Sequence, residues 1–350
     1  MRNLIKKLLL FLPIVAVVLA INIIGDPANI FKGSDYEGKI ARILISGKNV
    51  AGVQDFNERN FQRQYISLIN EKNDIVTIGS SRSMQINSTL FPSDNFFNNS
   101  VSWATLEDYI TTYNMYKKRN LIPKIIVLGL DPWILNKNNN ITAWKSNSDF
   151  FYLTQKNNSA KERLLKTQFL VEKYSQILSP SYFQSSIEGI LKSKQTSYFP
   201  TADTIGKEDV RLKDGSLSYK LSMQTKSNEA IGKDAEESIK TDAISALQSY
   251  SDLDKNLTEN FQKFLEILSK DNVSVILFLS PYHPKAYGYL IQNYKIIEKA
   301  EKFFIETAKN LNLKLIGSYN PDKLKLNSYD FYDGLHLKRE AVERLFKESQ

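Results

Sequence analysis

Two short segments, more than 200 residues apart, carry side chains that could perform nucleophilic catalysis. The apolar run Ile75–Ile78 leads into Gly-Ser-Ser at Gly79–Ser81, and Asp-Gly-Leu-His occupies Asp333–His336 near the end of the sequence. A serine hydroxyl becomes a good nucleophile when a neutral imidazole takes its proton, and a carboxylate can fix the tautomer of that imidazole. Ser81, His336 and Asp333 are therefore the candidate catalytic residues. The chain has only two histidines, which leaves few candidates for the base.

The elements that must position these groups follow a strand–helix alternation. Short β-branched runs predict strands, and apolar residues at helical spacing predict helices. The expected strands are Asp74–Gly79, Phe96–Val101, Lys124–Gly129, Val273–Leu279 and Leu313–Ile316. The expected helices are Leu106–Arg119, Thr258–Ser269, Tyr289–Asn310 and Glu340–Phe346. This pattern predicts an α/β fold with an open, mostly parallel sheet, covered by helices on both faces. Functional groups of such sheets gather at the carboxyl ends of the strands.

Composition excludes several classes of protein. The 350 residues are 42% hydrophobic and 24% charged, which is ordinary for a globular protein. The net charge is +8, but the basic residues are scattered, which argues against nucleic-acid binding. Cysteine is absent, so disulfides and thiolate nucleophiles are excluded. With two histidines and no cysteine, we expect neither a metal nor another cofactor.

The N-terminus predicts a location at the membrane. Arg2, Lys6 and Lys7 precede an apolar run, Leu8–Ile24, that is at the short end of the range for a spanning helix. We interpret residues 1–25 as an uncleaved signal anchor that leaves the rest of the chain outside the cytoplasm. A cleaved signal peptide is the competing interpretation, but the small-residue cleavage pattern is poor.

The remaining chain divides into a connector and one domain. Residues 26–63 have the polar composition of a connector, and residues 64–350 form the expected α/β domain. The alternation stops between about residues 134 and 251, which we interpret as a mainly helical insertion that covers the sheet edge or the site. Within it, Arg211–Leu217 predicts a hairpin around an Asp-Gly turn.

Four segments in this order resemble the motifs of the SGNH (GDSL-like) hydrolase superfamily. Gly79–Ser81 matches its nucleophile motif, Asn98–Thr105 its second motif, Gly129–Pro132 its third, and Asp333–His336 its Asp-x-x-His. The closest resemblance is to the membrane-anchored, extracytoplasmic SGNH-like proteins of bacterial envelope and polysaccharide loci. Proteins of D-alanyl-lipoteichoic acid biosynthesis and alginate O-acetylation are of this kind. The resemblance implies a flavodoxin-like three-layer sandwich, the SGNH fold.

The resemblance also implies roles for residues around the nucleophile. The backbone N–H groups of Ser81 and Trp103 would form the oxyanion hole, with Trp103 in the place of the family's glycine. Asp131 replaces the family's oxyanion asparagine, and an ionised carboxylate cannot donate a hydrogen bond. We therefore expect Asp131 to contact the substrate or to hold a neighbouring loop. Arg82 would bind an anionic group of the substrate or form a surface salt bridge. His283 would contact the substrate at the pocket rim or bond to the backbone of its own loop.

The function implied is that of an esterase or O-acyltransferase acting on an envelope glycopolymer through an acyl-enzyme. The expected partners are that acylated or acyl-accepting polymer, the membrane through the N-terminal helix, and a membrane-bound acyltransferase. The alternative is a catalytically degenerate SGNH fold that binds glycan or organises an acyltransferase assembly. The replacements at Asp131 and Trp103 motivate this second interpretation.

Overall fold

The computed structural model describes residues 2–26, 35–53, 56–92, 95–154, 174–191, 198–240 and 250–349, together with positions 164, 167, 170, 171, 246 and 247. The strands are β1 (Asn49–Ala51), β2 (Ile75–Ile78), β3 (Phe96–Asn98), β4 (Ile125–Leu130), β5 (Phe199–Thr201), β6 (Val210–Arg211), β7 (Leu217–Ser218), β8 (Ser274–Leu279) and β9 (Lys314–Gly317). The helices are α1 (Arg2–Gly25), α2 (Tyr36–Ile45), α3 (Glu58–Leu68), α4 (Leu106–Lys118), α5 (Ser148–Phe151), α6 (Pro180–Leu191), α7 (Leu221–Gln224), α8 (Asn228–Lys240), α9 (Lys255–Lys270), α10 (Pro284–Asn293), α11 (Ile296–Asn310) and α12 (Arg339–Glu348).

A five-stranded parallel sheet with the order β3-β2-β4-β8-β9 forms the centre of the molecule. All five strands lie where the sequence predicts them, with ends shifted by at most three residues. Their apolar, β-branched composition suits strands that are buried on both faces. The α/β prediction with a parallel sheet is therefore confirmed.

Helices cover both faces of this sheet, as the two-residue period of the strands requires. On one face, Val76, Leu128 and Leu277 share a core with α4, α9 and α11. On the other, Val127 and Phe278 pack with α12. The arrangement is compatible with three layers.

A second sheet, with the order β5-β1-β6-β7, joins the expected connector to the insertion. Strand β1 pairs antiparallel with β5 and β6, and β6 pairs with β7 across the predicted Asp-Gly turn, where Gly215 has φ +78°. The hairpin prediction is confirmed. Residues 26–63 are not a simple connector, however, because α2, β1 and the start of α3 pack into the folded body.

One helix prediction needs correction. The single helix expected at Tyr289–Asn310 is two helices, α10 and α11, because Tyr294 leaves the helical region at φ −135°, ψ 75°. Within the mainly helical insertion, α6 is helical as expected, while most of residues 155–173 lie outside the described residues.

The N-terminal helix α1 packs against α6. The Asn22 side-chain amide donates to the Ile177 carbonyl at 2.6 Å, and the Tyr182 hydroxyl donates to Asp26 at 3.0 Å. Nowhere in the described ranges is a helix both long and apolar enough to cross a membrane.

Candidate active site

The proposed nucleophile lies on a tight turn at the carboxyl end of β2. Residues Ser81–Ser83 form one turn of 3₁₀ helix, and the Ser80 hydroxyl caps it by accepting the Arg82 N–H at 3.1 Å. The turn packs closely on β4, since a Cβ on Gly79 would lie 3.1 Å from the Cα of Gly129. Glycine at position 79 therefore permits the close approach that leaves Ser81 partly exposed at the strand end.

The structure brings Ser81, His336 and Asp333 into one hydrogen-bonded chain. Ser81 Oγ lies 3.0 Å from His336 Nε2, and His336 Nδ1 lies 2.9 Å from Asp333 Oδ2. The Asp-x-x-His turn is closed by the Leu335 and His336 N–H groups, which donate to Asp333 Oδ1 at 2.8 and 2.9 Å. The candidate nucleophile, base and orienting carboxylate thus form a chain in which each lies at hydrogen-bond distance from the next.

Asp333 is held in its ionised form by this geometry. Burial acts to raise the pKa of Asp333, but the His336 charge, the His336 ring and the two backbone N–H groups outweigh burial. The pKa of Asp333 is consequently held well below its usual range. An ionised Asp333 accepts from His336 Nδ1–H, which leaves Nε2 free to take the Ser81 proton.

The two candidate oxyanion donors are unengaged in the described part of the chain. Neither the Ser81 N–H nor the Trp103 N–H donates to any acceptor there. Trp103 has φ +53°, a left-handed conformation that costs a residue with a side chain roughly 1–2 kcal/mol relative to glycine. The turn is pinned from α3. Glu58 accepts the Ser102 N–H at 2.5 Å, and Arg59 donates to the Ser102 and Trp103 carbonyls at 3.2 and 3.3 Å.

The structure does not support substrate contact by Arg82 or Asp131, because both are buried in an ion pair. Arg82 Nη1 lies 2.7 Å from Asp131 Oδ1, and each side chain is only 1% exposed. The guanidinium also donates to the carbonyls of Leu335 and Ser280, and it stacks on the Tyr282 ring at 3.8 Å. Burial raises the pKa of Asp131, while Arg82 opposes that shift. Arg82 thereby ties the turn of Ser81 to the loop of His336.

His283 is likewise not at the pocket rim, and of its two expected roles the structure shows the loop histidine bonded to backbone. It is fully buried and caps α10 through Nδ1, which accepts the Lys285 N–H at 3.2 Å. The backbone N–H of His283 donates to the carbonyl of Gly334, the residue after Asp333, at 3.1 Å. His283 therefore connects the N-terminus of α10 to the Asp333–His336 loop and helps to hold that loop in place.

Removing the His283 imidazole is expected to make the free energy of unfolding depend less on pH in the acidic range. Burial, followed by the charge of Lys285, lowers the pKa of His283 from 6.5 to about 4. The folded state therefore binds fewer protons than the unfolded state, so the stabilisation is complete above pH 6.5 and is lost as pH falls towards 4. The loss amounts to about 3 kcal/mol.

A His283→Asn variant is the matched comparison, since asparagine retains the helix cap but does not titrate. Urea unfolding of both proteins at a series of pH values measures the difference. If the two proteins lose stability in parallel between pH 6.5 and 4, His283 does not titrate in the way its burial requires.

One wall of the site comes from the insertion, and sequence reasoning missed it. The Tyr219 ring lies 5.9 Å from the His336 ring and 4.8 Å from the Tyr332 ring. Its only sequence signal is its place just after the predicted hairpin. Glu58 and Arg59, which hold the Trp103 turn, were also missed because they were assigned to the connector.

No group of three or more His, Asp or Glu side chains in the described ranges could hold a metal ion.

A scan against models of known protein families finds no match for this chain, and a search of curated proteins finds no match either.

Proposed function

We propose that this chain is an extracytoplasmic serine esterase or O-acyltransferase of the SGNH (GDSL-like) type, acting on cell-envelope polysaccharide. The observation that carries the proposal is the hydrogen-bonded chain from Ser81 through His336 to Asp333, with its 3.0 Å contact between Oγ and Nε2. Its position at the carboxyl end of β2, in a parallel sheet with helices on both faces, supports a flavodoxin-like three-layer SGNH fold.

The first half of the reaction transfers an acyl group to the protein. His336 Nε2 takes the Ser81 proton as Oγ attacks the carbonyl carbon of an ester, and the carbonyl oxygen becomes an oxyanion. The backbone N–H groups of Ser81 and Trp103 are the proposed donors to that oxyanion. The intermediate then collapses, the ester C–O bond breaks, and His336 returns its proton to the departing alcohol. Ser81 is left as an acyl ester.

The second half regenerates the serine. His336 Nε2 takes a proton from a sugar hydroxyl or from water, whose oxygen attacks the acyl carbon. The Ser81 Oγ–acyl bond breaks, and His336 gives the proton back to Oγ. A sugar hydroxyl yields an acylated polysaccharide, and water yields a carboxylic acid. Both outcomes use the same protein groups.

We also propose that α1 anchors the protein at the membrane, where a membrane-bound acyltransferase would be its partner. Basic residues precede the apolar segment, and positive residues favour the cytoplasmic side. Polysaccharide outside the membrane would then reach Ser81.

Trapping the acyl-enzyme tests the proposal. We expect incubation with p-nitrophenyl acetate, followed by acid quenching, to leave one acetyl group per chain on the peptide containing Ser81, detected by mass spectrometry. The Ser81→Ala variant should gain none. Absence of both the adduct and p-nitrophenol release would contradict the proposal. Glycan binding that survives Ser81→Ala and His336→Ala would then favour the non-catalytic glycan-binding role.

A further inference from the structure

A groove of about 940 Å³ adjoins the proposed oxyanion donor Trp103. Its lining includes Trp103, Phe56, Ile141 and Leu217. Leu217 lines the groove, and Tyr219, two residues later, packs against the His336 ring. The same short segment therefore borders both the groove and the Ser81–His336 pair. The volume of the groove lies in the range of small-molecule binding sites.

The position of Trp103 is unusual because its conformation favours glycine. At φ +53° a glycine would be free of strain, yet the chain has the largest side chain here and holds the turn with Glu58 and Arg59. The indole is partly exposed, and it packs on Trp133 with ring centroids 5.4 Å apart. A strained residue held by its surroundings beside an active centre points to a use for its side chain.

The charges that line the groove cancel. Glu58 pairs with Arg211 at 3.5 Å, and Arg59 pairs with Asp108 at 2.7 Å. Asp209 lies exposed at the groove. Its Oδ1 accepts the Lys220 N–H at 2.8 Å, and the carboxylate has further lone pairs that can accept from hydroxyl groups. The lining holds two acidic and two basic residues, and Asp108 behind Arg59 adds a further negative charge, so the groove has no excess of positive charge to attract a polyanion.

We propose that this groove binds a neutral sugar chain, and that the Trp103 indole stacks on the apolar face of one sugar ring. The inference rests on the proposed function, since it assigns the place where the polysaccharide lies during acyl transfer. An aromatic face supplies the apolar contact, and the polar rim supplies acceptors for hydroxyl groups.

Calorimetric titration tests this independently of catalysis when it is performed on Ser81→Ala protein. The probes are the neutral tetrasaccharides of N-acetylglucosamine, glucose, galactose and mannose, with tetragalacturonate as the acidic comparison. We expect at least one neutral tetrasaccharide to bind, and Trp103→Gly to weaken its binding by about tenfold. Trp103→Phe, which retains a ring, should weaken it less. Trp144→Phe changes a tryptophan outside the groove and should have no effect.

A fluorescence measurement gives a second readout if Trp103→Gly does not fold. The chain has three tryptophans, so Trp133→Phe/Trp144→Phe leaves Trp103 as the single emitter. The sugar that binds should change its emission. Four results would each overturn the inference. The first two are unchanged affinity in folded Trp103→Gly and unchanged Trp103 emission. The others are no binding of any neutral tetrasaccharide and tighter binding of tetragalacturonate. An acetyl adduct on Ser81 with no sugar binding would overturn this inference alone. Sugar binding without an adduct would contradict the proposed acyl chemistry.

Discussion

Replacing Ser81 by alanine is expected to lower turnover of an activated acetyl ester by about 10⁶-fold, the size of loss seen when a serine nucleophile is removed from a triad. In the proposed reaction Oγ forms the bond to the acyl carbon, and His336 Nε2, 3.0 Å away, takes its proton. Initial rates of p-nitrophenol release measure the effect. Ser83→Ala is the control, because that hydroxyl lies buried against Gly79 and Gly129 in the same turn.

The His336→Ala change tests whether the two groups act as a unit. We expect it to cost about as much as Ser81→Ala alone, and the double variant to be no slower than either single variant. If the losses in rate instead multiply, Ser81 and His336 contribute independently, and the proposed proton transfer between them is wrong.

Replacing Arg82 by methionine is expected to lower the free energy of unfolding by about 3–5 kcal/mol. Asp131 would lose the guanidinium 2.7 Å away and remain as a charge that is only 1% exposed. Its Oδ2 already has no hydrogen-bond partner within the described structure, so Arg82 is the closest charge that compensates the carboxylate. Urea denaturation monitored by circular dichroism measures the loss.

A second change should recover much of this stability. In Arg82→Met/Asp131→Leu the buried charge is gone from both sides, and apolar replacement of a buried pair is often neutral or stabilising. Methionine also retains a favourable contact with the Tyr282 ring. Equal instability of the single and double variants would show that the damage comes from lost contacts to Leu335 and Ser280, and not from an uncompensated charge.

The central sheet could be predicted because its strands are short, apolar and ended by glycine or polar residues. Ser81 and Asp131 follow two such strands, so the position of both at one sheet edge was predictable as well. Their environments were not. Arg82 and Asp131 are 49 positions apart, and each would be assigned to a solvated loop if considered separately. Only tertiary packing shows that they neutralise each other under the site.

The missed elements are those whose stability depends on distant partners. Strand β1 has only three residues, too few for a recognisable period, and its conformation depends on pairing with β5 and β6, about 150 positions later. The break between α10 and α11 interrupts a continuous apolar period, so the period alone predicted one helix. The sequence left two roles open for His283 because it follows a strand end, and only its contact with the Asp333–His336 loop distinguishes the buried role from a rim contact.

The pairing of β1 has a practical consequence for anyone preparing a fragment of this protein. A fragment that begins at residue 64 would omit the inner strand of the second sheet, together with α2 and the Glu58–Arg59 clamp on the Trp103 turn. The β6–β7 hairpin next to Tyr219 would lose its pairing with β1, and the exposed edge of β6 would favour self-association. A fragment that begins at Asp35 keeps all of these contacts while leaving out α1.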